Sequence, residues 1–248
     1  MIPTLSRRLA AEFLGTAGLL MAVVGSGIMG ERLSGGNPAL ALLANSVATG
    51  AALVALILTF GAISGAHFNP AVTFSAALQK SFSWRVVPLY VVSQIAGAFV
   101  GVIAAHMMFG LQVFSSSRHI RSGASQIFSE GIATLGLLLV IALVSRVRTA
   151  ATPYAVAAYI VGAYWFTSST SFANPAVTVA RSLTDTFAGI RPADVPGFLL
   201  GELSGTIVAV LIIAWLLSEK SVQKMAHTGE DHGHAEAVSG GDDVVVAD

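Results

Sequence analysis

HFNPAVTFSAA at residues 67–77 and SFANPAVTVAR at residues 171–181 spell Asn-Pro-Ala-Val-Thr twice in one apolar chain, 105 positions apart. Asparagine is a preferred N-cap, and proline is favoured at the first helical position because its missing N–H is not needed there. Asn69-Pro70-Ala71 and Asn174-Pro175-Ala176 therefore each read as the start of a short helix. One copy alone would be read most simply as a helix cap in a surface loop. A second copy changes that reading, because the rest of the chain is also written twice.

The 248 residues are 54% hydrophobic and 10% charged, against about 25% charged in soluble domains. Six stretches approach the ~20 apolar residues needed to cross a bilayer. They fall at roughly 9–29, 39–60, 85–109, 126–146, 152–169 and 196–217, the fifth being short and rich in small residues. Arg7 and Arg8 precede a first span that runs past signal-peptide length, so cleavage is not expected. The chain has no cysteine, which removes disulfides and thiolate metal sites. No metal, cofactor or nucleic-acid partner is expected. Six spans put both termini on one side, with Arg7, Arg8, Lys80, Arg85, Arg146, Arg148, Lys220 and Lys224. The other side has Arg32, Arg118, Arg121, Arg181 and Arg191, so the positive-inside rule places both termini in the cytoplasm.

AEFLGTAGLLMAVV at 11–24 resembles SEGIATLGLLLVIA at 129–142, matching Glu12 with Glu130 and Thr16 with Thr134. QIAGAFVG at 94–101 resembles ELSGTIVA at 202–209, matching Gln94 with Glu202 and Gly97 with Gly205. Each half holds three spans and one Asn-Pro-Ala segment, and an odd number of spans forces the second half to enter from the opposite face. That is an inverted repeat, and broken helices at matching places in such repeats mark the binding site. The two helix starts would then meet near the midplane. Irregular backbone at that depth is tolerated only where it lines a cavity or is buried in protein.

With SGAHFNPAVT at 64–73, FANPAV at 172–177, the glutamate of AEFLGT and the six-span inverted repeat, the sequence resembles the aquaporin and aquaglyceroporin channels over roughly residues 8–217. The resemblance implies an all-α membrane fold of six transmembrane helices and two re-entrant half-helices. It implies a homotetramer with one pore per subunit, and places the Asn69 and Asn174 amides at the pore centre. By spacing from the motifs, the family's four selectivity-filter positions fall on Thr49, Gly162, Ser171 and Val177. The family usually has arginine at the last of these, with an aromatic residue or histidine nearby; this chain departs from that pattern. Four small residues imply a wide, weakly polar opening. Among family members, a valine-bearing filter is similar to that of aquaglyceroporin-like channels of bacterial arsenic-resistance operons, which pass arsenite as the neutral trihydroxide.

Glu12 and Glu130 are read as braces that accept hydrogen bonds from re-entrant backbone, a role for which glutamine would also serve; proton coupling is the competing role. His67 is expected to line the cytoplasmic side of the pore, while His106 and His119 carry no assigned role. Gly97 with Gly101, and Gly201 with Gly205, are assigned to close helix packing. Arg181, one turn beyond Val177, could replace the missing arginine, but is assigned to pairing with Asp185 or to snorkelling at the interface. The tail holds His227, His232 and His234 beside Glu230 and Asp231; it is read as disordered rather than metal-binding. The expected organisation is a channel domain over 1–217, with repeats over about 8–110 and 126–217, and a cytoplasmic tail over 218–248.

Two functions compete, and the paired half-helix N-termini with no charged residue near the centre favour the first. The first is a passive channel in the inner membrane for small neutral solutes, meaning water, glycerol-like polyols and arsenite. The second is an ion- or proton-coupled transporter, which can also use inverted repeats and broken helices. An intramembrane enzyme is disfavoured, since no Ser-His pair, paired-carboxylate motif or HExxH is present.

Overall fold

The computed structural model describes residues 3–218, and the histidines and acids of the tail lie outside them. Its contacts divide the chain into Met1–Val210, which holds every site discussed below, and Leu211–Asp248.

Eight α-helices and no strand occur among the described residues. They are α1 (Leu5–Leu33), α2 (Pro38–Ser64), α3 (Pro70–Leu78), α4 (Val87–Met108), α5 (Ala124–Val147), α6 (Thr152–Phe166), α7 (Pro175–Arg181) and α8 (Val195–Leu216). Five of the helical segments are long and apolar enough to span a bilayer. The fifth expected span ends early: α6 has 15 residues rather than reaching 169. Thr167 turns extended, and Thr170 and Ser171 take left-handed backbone, which non-glycine residues adopt at a cost of about 1–3 kcal/mol each. That turn aims the chain back into the protein instead of out of the membrane.

The helix ends follow from their caps. The Asn37 side chain accepts from Ala39 N and Leu40 N at 3.0 and 3.3 Å, opening α2 ahead of Pro38. Gly65, at φ 91°, closes it. α1 is the most enclosed span, with 61% of its apolar window buried against 22% for α2. It packs on α4 and α2, while residues such as Leu58, Val92 and Leu203 leave apolar side chains on the outside, where lipid tails are their natural solvent.

The inverted repeat is visible in its packing. A Cβ on Gly97 of α4 would collide with the Phe13 carbonyl of α1, and one on Gly205 of α8 with the Gly131 carbonyl of α5. Phe13 and Gly131 follow the matched Glu12 and Glu130, so both halves use glycine at equivalent crossings to bring two backbones together. A Gly205→Val substitution must push α8 off α5. Overpacking of this kind costs about 1–3 kcal/mol, and should lower the thermal midpoint of detergent-solubilised protein by several degrees.

Candidate functional site

α3 and α7 begin head to head. Asn69 Oδ1 accepts from Ala71 N at 2.8 Å, and Asn174 Oδ1 accepts from Ala176 N at 3.1 Å and Val177 N at 3.4 Å. Each amide nitrogen then crosses to the other half. Asn69 Nδ2 donates to Ala173 O at 2.7 Å, and Asn174 Nδ2 to Phe68 O at 2.8 Å. One N–H of each amide is thereby fixed, and each NH2 retains a second donor.

The loops that lead into these caps carry the same distortion. Ala66 and Phe68 have φ 49°, and their counterparts 105 residues on, Ser171 and Ala173, have φ 51° and 49°. Alternating left-handed residues cannot form helix or strand ladders, so their N–H groups need other acceptors. The buried carboxylates supply them. Glu12 Oε1 accepts from Ser64 Oγ at 2.7 Å and His67 N at 2.9 Å, while Oε2 accepts from Phe68 N at 2.7 Å and Gln94 Nε2 at 2.8 Å. Glu130 Oε1 accepts from Phe172 N at 2.9 Å, and Oε2 from Ala173 N at 2.7 Å.

Both oxygens of each carboxylate are in use, which corrects the expectation that glutamine would serve equally. In Glu130→Gln an amide NH2 must face a backbone N–H, and a buried unsatisfied donor costs about 1–3 kcal/mol. Reduced thermal stability and reduced solute flux should appear together in that variant.

Glu202, the repeat match of Gln94, has a role that the motifs alone do not assign. Its Oε1 accepts from Asn174 N at 3.0 Å and Thr178 Oγ1 at 2.6 Å, making it a second brace of the α7 cap, and its Oε2 has no partner among the described residues. The repeat match was the available signal. His106, with no assigned role from sequence, also has one. It is fully buried, with Nδ1 and Nε2 at 3.0 Å from Val113 O and 2.7 Å from Thr184 Oγ1, and so ties two outer segments together.

A cavity of about 370 Å³ passes along the two caps and is lined by Asn69, Asn174 and His67. His67 Nδ1 lies 3.0 Å from Thr73 Oγ1, and its ring packs beside Phe82 and Tyr90. The lining also includes Thr49, Ser171 and Val177, together with Tyr164. Thr49 Oγ1 and Tyr164 Oη are 3.3 Å apart, and Ser171 Oγ is buried with no partner among the described residues.

Gly162 is not among the lining residues. The face of α6 toward the cavity carries Val156, Ile160 and Tyr164, and at 100° per residue Gly162 lies about 200° from both Ile160 and Tyr164. Tyr164 stands on the wall where Gly162 was expected, and Arg181 joins Thr49, Ser171 and Val177 there, so the opening is not built from four small residues.

Arg181 is 2% exposed and lines the same cavity. Its Nε donates to Ala188 O, and its Cζ lies 3.4 Å from the Phe172 ring centroid. It neither pairs with Asp185 nor reaches the interface. Asp185 is held instead by Arg118, whose Nε lies 2.8 Å away. The Arg118 backbone N–H, then its guanidinium, hold the Asp185 carboxyl below its ordinary value.

Residues 2–171 match the Major intrinsic protein family. The chain is 51% identical over 213 residues to "Aquaglyceroporin AqpS" of Rhizobium meliloti, covering 86% of this chain and 91% of that protein. It is 33% identical over 145 residues to the "Probable glycerol uptake facilitator protein" of Thermotoga maritima, covering 52% and 60%. The fold is similar to that of the solved aquaglyceroporin from Plasmodium falciparum, with a TM-score of 0.65 at 22% identity over 86% of this chain and 96% of that one. On its sequence and its fold, the chain belongs to the Major intrinsic protein family.

Proposed function

We propose that the chain is a passive channel through which water, glycerol-like polyols and arsenite, as its neutral trihydroxide, cross a bilayer. The observation that carries this is the reciprocal pair of amides, each held by the opposite loop and each with an N–H to spare. Two uncharged donors suit hydroxyl and water oxygens. The positive ends of α3 and α7 at the same point raise the barrier to cations and protons. The names of the Rhizobium and Thermotoga relatives support a polyol-passing channel.

On this reading Asn69, Pro70 and Ala71 with Asn174, Pro175 and Ala176 form the pore centre. Thr49, Ser171 and Val177 belong to the selectivity filter, and His67 lines the pore. Residues 1–217 are the channel domain, with repeats over about 8–110 and 126–217, and 218–248 a cytoplasmic tail. The assembly is a homotetramer in the inner membrane with both termini cytoplasmic, consistent with the count of basic residues.

Proteoliposome swelling in water, glycerol and arsenite gradients tests the proposal. All three should equilibrate faster than in protein-free vesicles. Arsenite at the protein-free rate would remove the metalloid from the substrates, and glycerol at that rate would overturn the channel reading.

A further inference from the structure

The geometry points to Arg181 as the cationic specificity residue of the outer constriction, doing from one turn further along α7 what Val177 cannot. This rests on the channel reading above. A long side chain on a helix leans back over the turn N-terminal to its own Cα, and for Arg181 that turn begins at Val177. Its contact with Phe172, next to Ser171, agrees with that direction.

The hydrogen-bond partners of Arg181 mark it as solute-facing. Burying a guanidinium is costly unless its donors are satisfied. The neighbouring Arg121 is also buried, and donates to Gly189 O at 2.8 Å, Ser169 O and Thr170 Oγ1 at 3.3 Å, and Phe187 O at 3.4 Å. Arg121 therefore serves the loops. Arg181 has one acceptor, Ala188 O, taken by Nε; neither Nη group has an acceptor among the described residues. No carboxylate forms an ion pair with it there, and the charged groups acting on it are Arg121 and Glu130. A fixed Nε, a ring against the guanidinium plane and two unpaired Nη groups on a cavity wall describe a held cation whose remaining partners are the permeating oxygens.

Cation leak and the glycerol-to-water permeability ratio should be compared in proteoliposomes of wild type, Arg181→Gln, Arg181→Lys and the double variant Arg181→Gln/Val177→Arg. Removing a unit charge from a site less polar than water should raise sodium leak in Arg181→Gln by about tenfold or more. Lysine keeps the charge but not the fork, so Arg181→Lys should remain tight to sodium while its glycerol-to-water ratio changes. The double variant should recover tightness to sodium. Helix content and particle size in detergent identify any variant that does not assemble. If Arg181→Gln is one of these, Arg181→Lys decides alone, and an unchanged ratio overturns the assignment. Sodium leak at the wild-type rate in an assembled Arg181→Gln channel would also overturn it. Failure of wild type to pass water or glycerol would instead sink the channel reading itself.

Discussion

Asn174→Leu should abolish flux of water, glycerol and arsenite alike. Leucine removes the cap of α7, worth about 1 kcal/mol. It also removes the donor to Phe68 O, leaving a buried carbonyl unpaired at a cost of about 1–3 kcal/mol. Those losses fall on a loop already strained at Ser171 and Ala173, so the segment that shapes the pore should no longer hold its path. Asn69→Leu should act the same way, since its amide holds Ala173 O. Stopped-flow light scattering of proteoliposomes, normalised to protein amount, is the check. Flux at the wild-type rate in either variant would mean that the two caps do not meet in the conducting path.

Val177→Arg should depress glycerol and arsenite flux about tenfold, equivalent to ~1.4 kcal/mol, and water flux less. Val177 is buried on the cavity wall, so a guanidinium there takes space from the solute. It also stands one turn from Arg181, and like charges at i,i+4 are destabilising by about 0.2–0.5 kcal/mol, so the variant should be somewhat less stable. Thr49→Phe should narrow the same region by bulk alone, and would break the Thr49–Tyr164 contact. Equal reductions for all three solutes in Val177→Arg would place Val177 outside the constriction.

The parts legible in the sequence were those written twice. Asn-Pro-Ala, the paired glutamates and the matched glycines each make a local demand on the backbone: a cap, an acceptor or a close crossing. The outer end was less legible because it depends on side-chain direction across irregular chain. Counting twelve residues back from Asn174 crosses the turn at 167–173, whose path is set by the left-handed residues Thr170, Ser171 and Ala173. A spacing rule gives no helical phase through such a turn, and an error of two residues rotates the chosen side chain by about 200°. Tyr164 was hidden for that reason. Arg181 was misassigned because an acidic neighbour four residues on, Asp185, looked like its partner. The tertiary fold gives that carboxylate to Arg118, distant in sequence, and turns Arg181 inward.

Glycerol uptake by wild-type proteoliposomes, measured with and without an imposed sodium or proton gradient, tests most directly whether the cavity is a passive pore. Protein-dependent uptake that follows the glycerol gradient alone, at the same rate when both ion gradients are collapsed, is the predicted result. Uptake that requires either ion gradient, or that accumulates glycerol above its external concentration, would contradict it.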